Sequence, residues 1–303
     1  MRARWAGWIG LLAACLWAQP GRAMHLGSVD CDTGIPSDEK LGVTWFPRGD
    51  VFCFLLADPK TDGSFASYLH ASQASEIGTD LASVGLGDRL AFVRWNGPSL
   101  GEGVQFGVAG NVYAQFDLQA PSHDLVNADY VIGLPLTFRR GPVSGRVRVY
   151  HQSSHLGDEF VLHSTVPREN LSFESVEGLL SAEWRPLRIY GGYEDLFARE
   201  PEALVSRVVH GGIELRQSTS SVPGGHLDRV RVVAGADVKT AKALNWALAW
   251  SARAGFEVGQ SPGEEHRTRR WSLLGEYYRG PSPYGQFYHL HVEWWGAGLQ
   301  LGL

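Results

Sequence analysis

Apolar and polar positions alternate along most of this chain. Val104, Phe106, Val108, Gly110, Val112, Ala114 and Phe116 interleave with Gln105, Gly107, Ala109, Asn111, Tyr113, Gln115 and Asp117. Tyr130, Ile132, Leu134, Leu136 and Phe138 alternate with a mixed set ending at Arg139. The rows Val230 to Val238 and Trp246 to Val258 behave alike, facing away from Arg229, Arg231 and Asp237 and from Asn245, Ser251, Arg253 and Glu257. Successive side chains on a strand point to opposite faces, so each segment has one apolar face and one polar or small face. About twelve such segments begin near residues 64, 86, 104, 128, 143, 171, 187, 206, 228, 245, 268 and 289. Several run about 10 to 14 residues, longer than the ~5 to 6 usual in soluble sheets and suited to a tilted membrane span.

The connections alternate in length. Gly141-Pro142 and Arg185-Pro186 make tight turns, whereas 118–127 and 154–170 are long loops. Short turns at one end and long loops at the other are the habit of an outer-membrane barrel. Trp95, Tyr113, Phe116, Trp184, Trp246, Trp271, Tyr277 and Trp295 stand at strand ends, where interfacial aromatic girdles form. The predicted fold is all-β: an antiparallel transmembrane barrel of about twelve strands over residues 64–303. A soluble sandwich or lipocalin-like barrel would also alternate. It would not line twelve long strands with arginines and glutamates opposite a continuous apolar face.

Composition narrows the setting. Of 303 residues, 44% are hydrophobic and 19% charged, below the roughly 25% charged of average soluble domains. No stretch after the N-terminus offers the ~20 apolar residues of a spanning helix. A formal charge of -5 gives no electrostatic case for nucleic acid. Arg2 and Arg4 precede the apolar run Trp5–Ala18, and Gly21 and Ala23 hold the small-residue positions of a cleavage site. Residues 1–23 therefore read as a secretory signal peptide. Leu12-Ala-Ala-Cys15 also has the form of a lipobox, although Leu16 and Trp17 prolong the apolar run past the cysteine. Residues 24–63 read as an irregular periplasmic segment, entering the barrel as a plug or covering its mouth. Cys31 and Cys53 remain after cleavage and are compatible with a disulfide in an exported chain. Outer-membrane lipids and the machinery that inserts barrels are the expected partners.

Specific motifs then become recognisable. Phe46-Pro-x-Gly-Asp50, Leu55-Leu-Ala-Asp-Pro59, Gly85-Leu-Gly-Asp-Arg89, Val93-Arg-Trp95, Ala114-Gln-Phe-Asp117, Asn127-Ala-Asp-Tyr130 and Tyr150-His-Gln-Ser-Ser-His-Leu-Gly-Asp-Glu159 together resemble the bacterial domain-of-unknown-function 1207 family, grouped with outer-membrane barrels. The resemblance implies a barrel and brings no activity with it.

The sharpest chemistry lies in His151-Gln-Ser153. Both residues continue the apolar row Val143, Gly145, Val147, Val149, next to each other at the end of a strand. Polar side chains on a lipid-facing row are costly unless they sit near headgroups or have a task. On the returning strand Asn170, Ser172 and Glu174 share the outward parity, so Asn170 or Glu174 could orient the histidine. A serine beside a histidine base with a third polar group is the logic of an activated acyl nucleophile. The pair is similar to the His-x-Ser of outer-membrane phospholipase A and the lipid A deacylases, where Asn commonly follows the serine; here Ser154-His155 does. Asp158 and Glu159 read as calcium ligands, as in the phospholipase, or as solvated loop charges. The plainer alternative for His151 and Ser153 is an interfacial pair tied into an ordered loop.

Inside the barrel, Arg139, Arg146, Arg148, Arg188, Arg229, Arg231, Arg253 and Arg270 face Glu177, Glu183, Glu194, Glu214, Glu257 and Glu276. Charges of both signs suit either a narrow water-filled channel or a salt-bridge network that fills a closed lumen.

Overall fold

The structure is a computed structural model that describes residue 35 and residues 41–73, 76–202, 204, 207–217, 229–259 and 270–302. The signal peptide at 1–23 and Cys31 lie outside the described residues. The chain forms β1 (Gly42–Trp45), β2 (Ser64–Ala71), β3 (Asp80–Asn96), β4 (Gly103–Asp117), β5 (Leu125–Arg140) and β6 (Val143–Leu156). A short helix, α1 (Asp158–His163), follows. Then come β7 (Leu171–Trp184), β8 (Leu187–Glu200), β9 (Arg207–Arg216), β10 (Arg229–Ala241), β11 (Leu248–Gly259), β12 (Arg270–Pro281) and β13 (His291–Gly302).

Each strand from β2 onward pairs antiparallel with the next, and β13 returns to β2 from Trp294↔Ala71 to Leu301↔Ser64. Twelve strands thus close a barrel. Closure leaves no lipid-exposed edge along the β13–β2 seam, as hydrocarbon requires. At that seam the backbones crowd: a Cβ on Gly296 would meet the Tyr68 carbonyl oxygen at 1.9 Å. The near rim carries the start of β2, the end of β13 and the tight turns at 141–142 and 185–186. The far rim carries the loops 118–124, 157–170 and 282–290.

Alternation sets what each face meets. Leu86, Ile132, Leu134, Leu136, Val149, Leu180, Ile213, Val232, Phe256 and Leu299 are exposed on the outside. Trp95, Trp184 and Trp271 ring the near end of this apolar band, while Tyr130, Trp250, Tyr277 and Trp295 ring the far end. Tyr113, expected in a girdle, instead points inward and is 2% exposed, its hydroxyl donating to the Lys60 carbonyl at 3.0 Å. It belongs to the polar-parity row of β4, and that row decides its direction.

Two further departures from the sequence pattern have physical causes. Strand β3 begins at Asp80, six residues before the expected start, because both of its rows mix apolar with polar or small residues there: Leu81, Ser83 and Gly85 inward, Asp80, Ala82 and Val84 outward. Leu81 faces inward there and joins the apolar cluster of Phe65, Leu69 and Trp294 at the far end of the lumen. The loop 282–290 folds over this apolar end, burying Tyr284 and Phe287, and Phe287 meets Phe160 of α1 edge-on. The segment before residue 64 also contains a strand, β1, which pairs with β3 from Gly42↔Asn96 to Trp45↔Val93.

Below the apolar cap the lumen is ionic. Glu177 takes Arg146 at 2.9 Å and Arg148 at 2.9 Å; Arg139 meets Glu183 at 3.0 Å, Arg188 meets Glu214 at 3.2 Å and Arg253 meets Glu276 at 3.0 Å. Arg231 pairs with Glu257 in the same way. Residues 48–62 run among these side chains. Val51 and Phe52 are 0% exposed, and Phe52 packs with Leu55, Leu179 and Tyr190. Leu56 meets Val233 and Leu274. Cys53 in this segment is disulfide-bonded, to a partner beyond the described residues.

Asp62 ties the segment to the wall, at 2.9 Å from Arg89 and 2.8 Å from Arg146. Burial alone would push its carboxyl upward; Arg89, Arg146 and Arg148 outweigh burial and hold it at about 2 instead of 3.8. A depressed folded value contributes stability above the unfolded value and loses it as pH falls through the folded one. Denaturation midpoints are therefore expected to fall between about pH 4 and pH 2, and Asp62→Asn to flatten that limb.

Candidate functional site

His151 and Ser153 project from the outside of β6 toward the far rim. The register puts His151 directly opposite Glu174 of β7 and Ser153 opposite Ser172. On the other side, Ile132 and Tyr130 of β5 flank His151 and Ser153 respectively. Strand parity creates this arrangement: Gln152 between the two points inward and is buried, whereas His151 and Glu174 keep 43% and 40% of their side chains exposed.

His151 Nδ1 lies 3.1 Å from Glu174 Oε1. A carboxylate on Nδ1 fixes the tautomer that carries its proton there and leaves the Nε2 lone pair available. Ser153 is the next residue on the same face, about 7 Å away along the strand. Its hydroxyl makes no hydrogen bond to the imidazole. Asn170 does not join the pair: exposed, it precedes β7, beyond the Ser154↔Leu171 pair and thus on the His155 side. Of the two candidate orienting groups, Glu174 is the one in contact.

Exposed Tyr130, Ile132, Leu134 and Val149 form an apolar surface running from the pair toward the membrane centre. His155 packs edge-on against Tyr130 at 5.8 Å between ring centres. Inside the wall the same stretch is held rigid. Ser154 hydrogen-bonds Asn127 at 3.1 Å and also Asp129, and Gln286 donates to the Ser154 carbonyl at 2.8 Å. Lys60 reaches Asp129 at 2.6 Å. The strand that carries His151 and Ser153 is thus braced from within by the far-rim loop and the inner segment.

Asp158 and Glu159 occupy the exposed first turn of α1, where negative charge complements the helix N-terminus. Among the described residues, no group of three or more His, Cys, Asp and Glu side chains is arranged to hold a metal ion. A second outward histidine–carboxylate pair, unforeseen in the sequence, joins β2 to β3: His70 Nδ1 lies 2.8 Å from Asp80 Oδ1, which also accepts from Tyr68. Asp80 is the first residue of β3, ahead of the strand start that the alternation predicts.

The chain's fold is shared with outer membrane phospholipase A from Escherichia coli, at 14% identity over 82% of this chain and 92% of that one, with a TM-score of 0.53. The Salmonella typhi outer membrane phospholipase, solved as a dimer with bound calcium, matches at 15% identity over 80% and 91%, with a TM-score of 0.52. These likenesses show an outer-membrane-type barrel. No curated protein matches the chain. Residues 18–303 match the family described as Protein of unknown function (DUF1207), and the chain belongs to that family.

Proposed function

We propose that this protein is exported to the outer membrane and hydrolyses lipid acyl esters at the outward surface of its far rim. One observation carries the reading: an outward imidazole held by a carboxylate, His151 on Glu174 at 3.1 Å, with a serine next on the same lipid-facing row. Ser153 Oγ is the nucleophile. As it attacks the ester carbonyl, His151 Nε2 takes its proton. Collapse of the tetrahedral adduct breaks the bond to the alcohol portion of the lipid, which receives that proton, and water then releases the fatty acid by the same steps reversed. Glu174 orients the ring and offsets its charge. The exposed Ile132, Leu134 and Val149 offer the acyl chain an apolar bed. In the Escherichia coli and Salmonella proteins the same fold is named a phospholipase. Asp158 and Glu159 are exposed carboxylates outside any three-residue ligand group among the described residues, and they take no part in these steps.

The purified chain in micelles, given phospholipid or lipopolysaccharide, is expected to release fatty acid. Ser153→Ala and His151→Ala should each lower the rate by about 10³-fold or more, and Glu174→Ala by less. Asn170→Ala should leave it near wild type. Hydrolysis that survives in Ser153→Ala, or none at all in the wild type, overturns the assignment. A second reading has its own support: the lumen is filled by ion pairs and by residues 48–62, which suits a non-enzymatic envelope barrel.

A further inference from the structure

The wall arginines treat residues 48–62 as a ligand. Arg94 Nη2 donates to the Arg48 carbonyl at 2.6 Å and to the Gly49 carbonyl at 2.8 Å. Arg139 Nε takes the Val51 carbonyl at 2.7 Å, and Arg89 Nη1 the Phe52 carbonyl at 3.0 Å. Arg188 spans the Cys53 and Phe54 carbonyls at 3.2 and 3.0 Å. Arg253 reaches the Leu56 and Asp58 carbonyls at 3.3 and 3.2 Å.

These five arginines come from β3, β5, β8 and β11, so the donors converge on the segment from around the lumen. What they grip is a row of backbone oxygens, independent of side-chain identity. The segment's own carboxylates extend the pattern. Asp50 lies 2.8 Å from Arg89, and Asp62 bridges Arg89, Arg146 and Arg148. Asp58 approaches Lys239 at 3.6 Å and His210 at 3.9 Å. The glutamates of the wall neutralise many of its arginines. The aspartates of the segment complete that balance, and removing them leaves the near half of the lumen with excess guanidinium charge.

Guanidinium donors bind an ionised oxygen more strongly than a neutral carbonyl, with two-pronged geometry available for carboxylate and phosphate. We propose that the lumen is an oxyanion path whose donors are occupied by residues 48–62, so that the segment keeps the barrel closed and competes with the solute for the same guanidinium groups. The solute is a carboxylate- or phosphate-bearing molecule elongated enough to meet several arginines in turn. This activity is independent of the ester chemistry on the outer face.

The test uses the full chain in planar bilayers. Wild type should show no conductance steps. Asp50→Asn with Asp62→Asn, which removes the segment's ionic hold on Arg89 and Arg146 at constant volume, should produce steps. In a potassium chloride gradient their reversal potential should shift toward the chloride side. Inorganic pyrophosphate should block that conductance, and adding Arg94→Gln should weaken both the chloride preference and the block. Where the double variant does not insert, Asp50→Asn alone carries the test, since Asp62 then still holds Arg146. An inserted variant that stays silent, prefers potassium or ignores pyrophosphate overturns the proposal, as does a wild type that conducts freely.

Discussion

Glu177→Ala should destabilise the barrel by about 3–5 kcal/mol, the cost of leaving buried charge without its partner. Glu177 is 5% exposed, and its two oxygens divide between Arg146 and Arg148, at 2.9 Å each. Without it, both guanidinium groups must share Asp62, already engaged by Arg89. Arg146 cannot reach water by a small movement, because Phe52 packs over it, and the partly exposed Arg148 lies against Tyr150. Glu177→Gln keeps the shape and some of the hydrogen bonding and should lose less. Denaturant titration of the micellar protein by tryptophan fluorescence reads both values. A loss under about 1 kcal/mol would match the worth of a solvated surface pair instead, and the ionic lumen would then be water-filled.

Leu134→Arg should cost about 2–4 kcal/mol, the depth-dependent cost of a cation at the lipid-facing midplane of a barrel. Leu134 is 49% exposed in the middle of the outward row of β5, between Ile132 and Leu136. In water an exposed leucine replaced by arginine changes stability by no more than about 0.5 kcal/mol. The comparison that isolates the bilayer is Leu162→Arg. Leu162 is 80% exposed on α1, in the far-rim loop, and its substitution should be close to neutral. Equal costs at the two positions would mean that the outward face of β5 does not meet lipid.

The barrel itself was legible because alternation is a local signal. Eleven of the expected starts fall within three residues of the observed ones, those of β2 and β4–β13, where outward and inward rows differ in polarity. The pattern failed where each row mixes apolar with polar or small residues, as at Asp80–Gly85, or where a strand has only four residues, as in β1. The same parity aimed His151 and Ser153 outward and the arginines inward. It could not rank Asn170 against Glu174, since that depends on the register between β6 and β7, and register is a property of two strands together. The role of residues 48–62 left even less trace. Arginine binds their carbonyls, and a carbonyl is the same in every sequence.

The two ends of residues 48–62 are fastened to a single strand. β1 pairs with β3 at 93–96 and β2 pairs with it at 80–85. The segment is therefore a loop pinned at both feet, not a terminal peptide that can be drawn out of the barrel. Displacing it is an internal rearrangement, and its return is unimolecular. A tethered competitor acts at an effective concentration of the order of millimolar, whatever the concentration of the protein. A solute carrying one charged group meets that competition at every arginine separately. One carrying several in a row meets it once, so the fastening of the loop selects for chain-like anions over small ones.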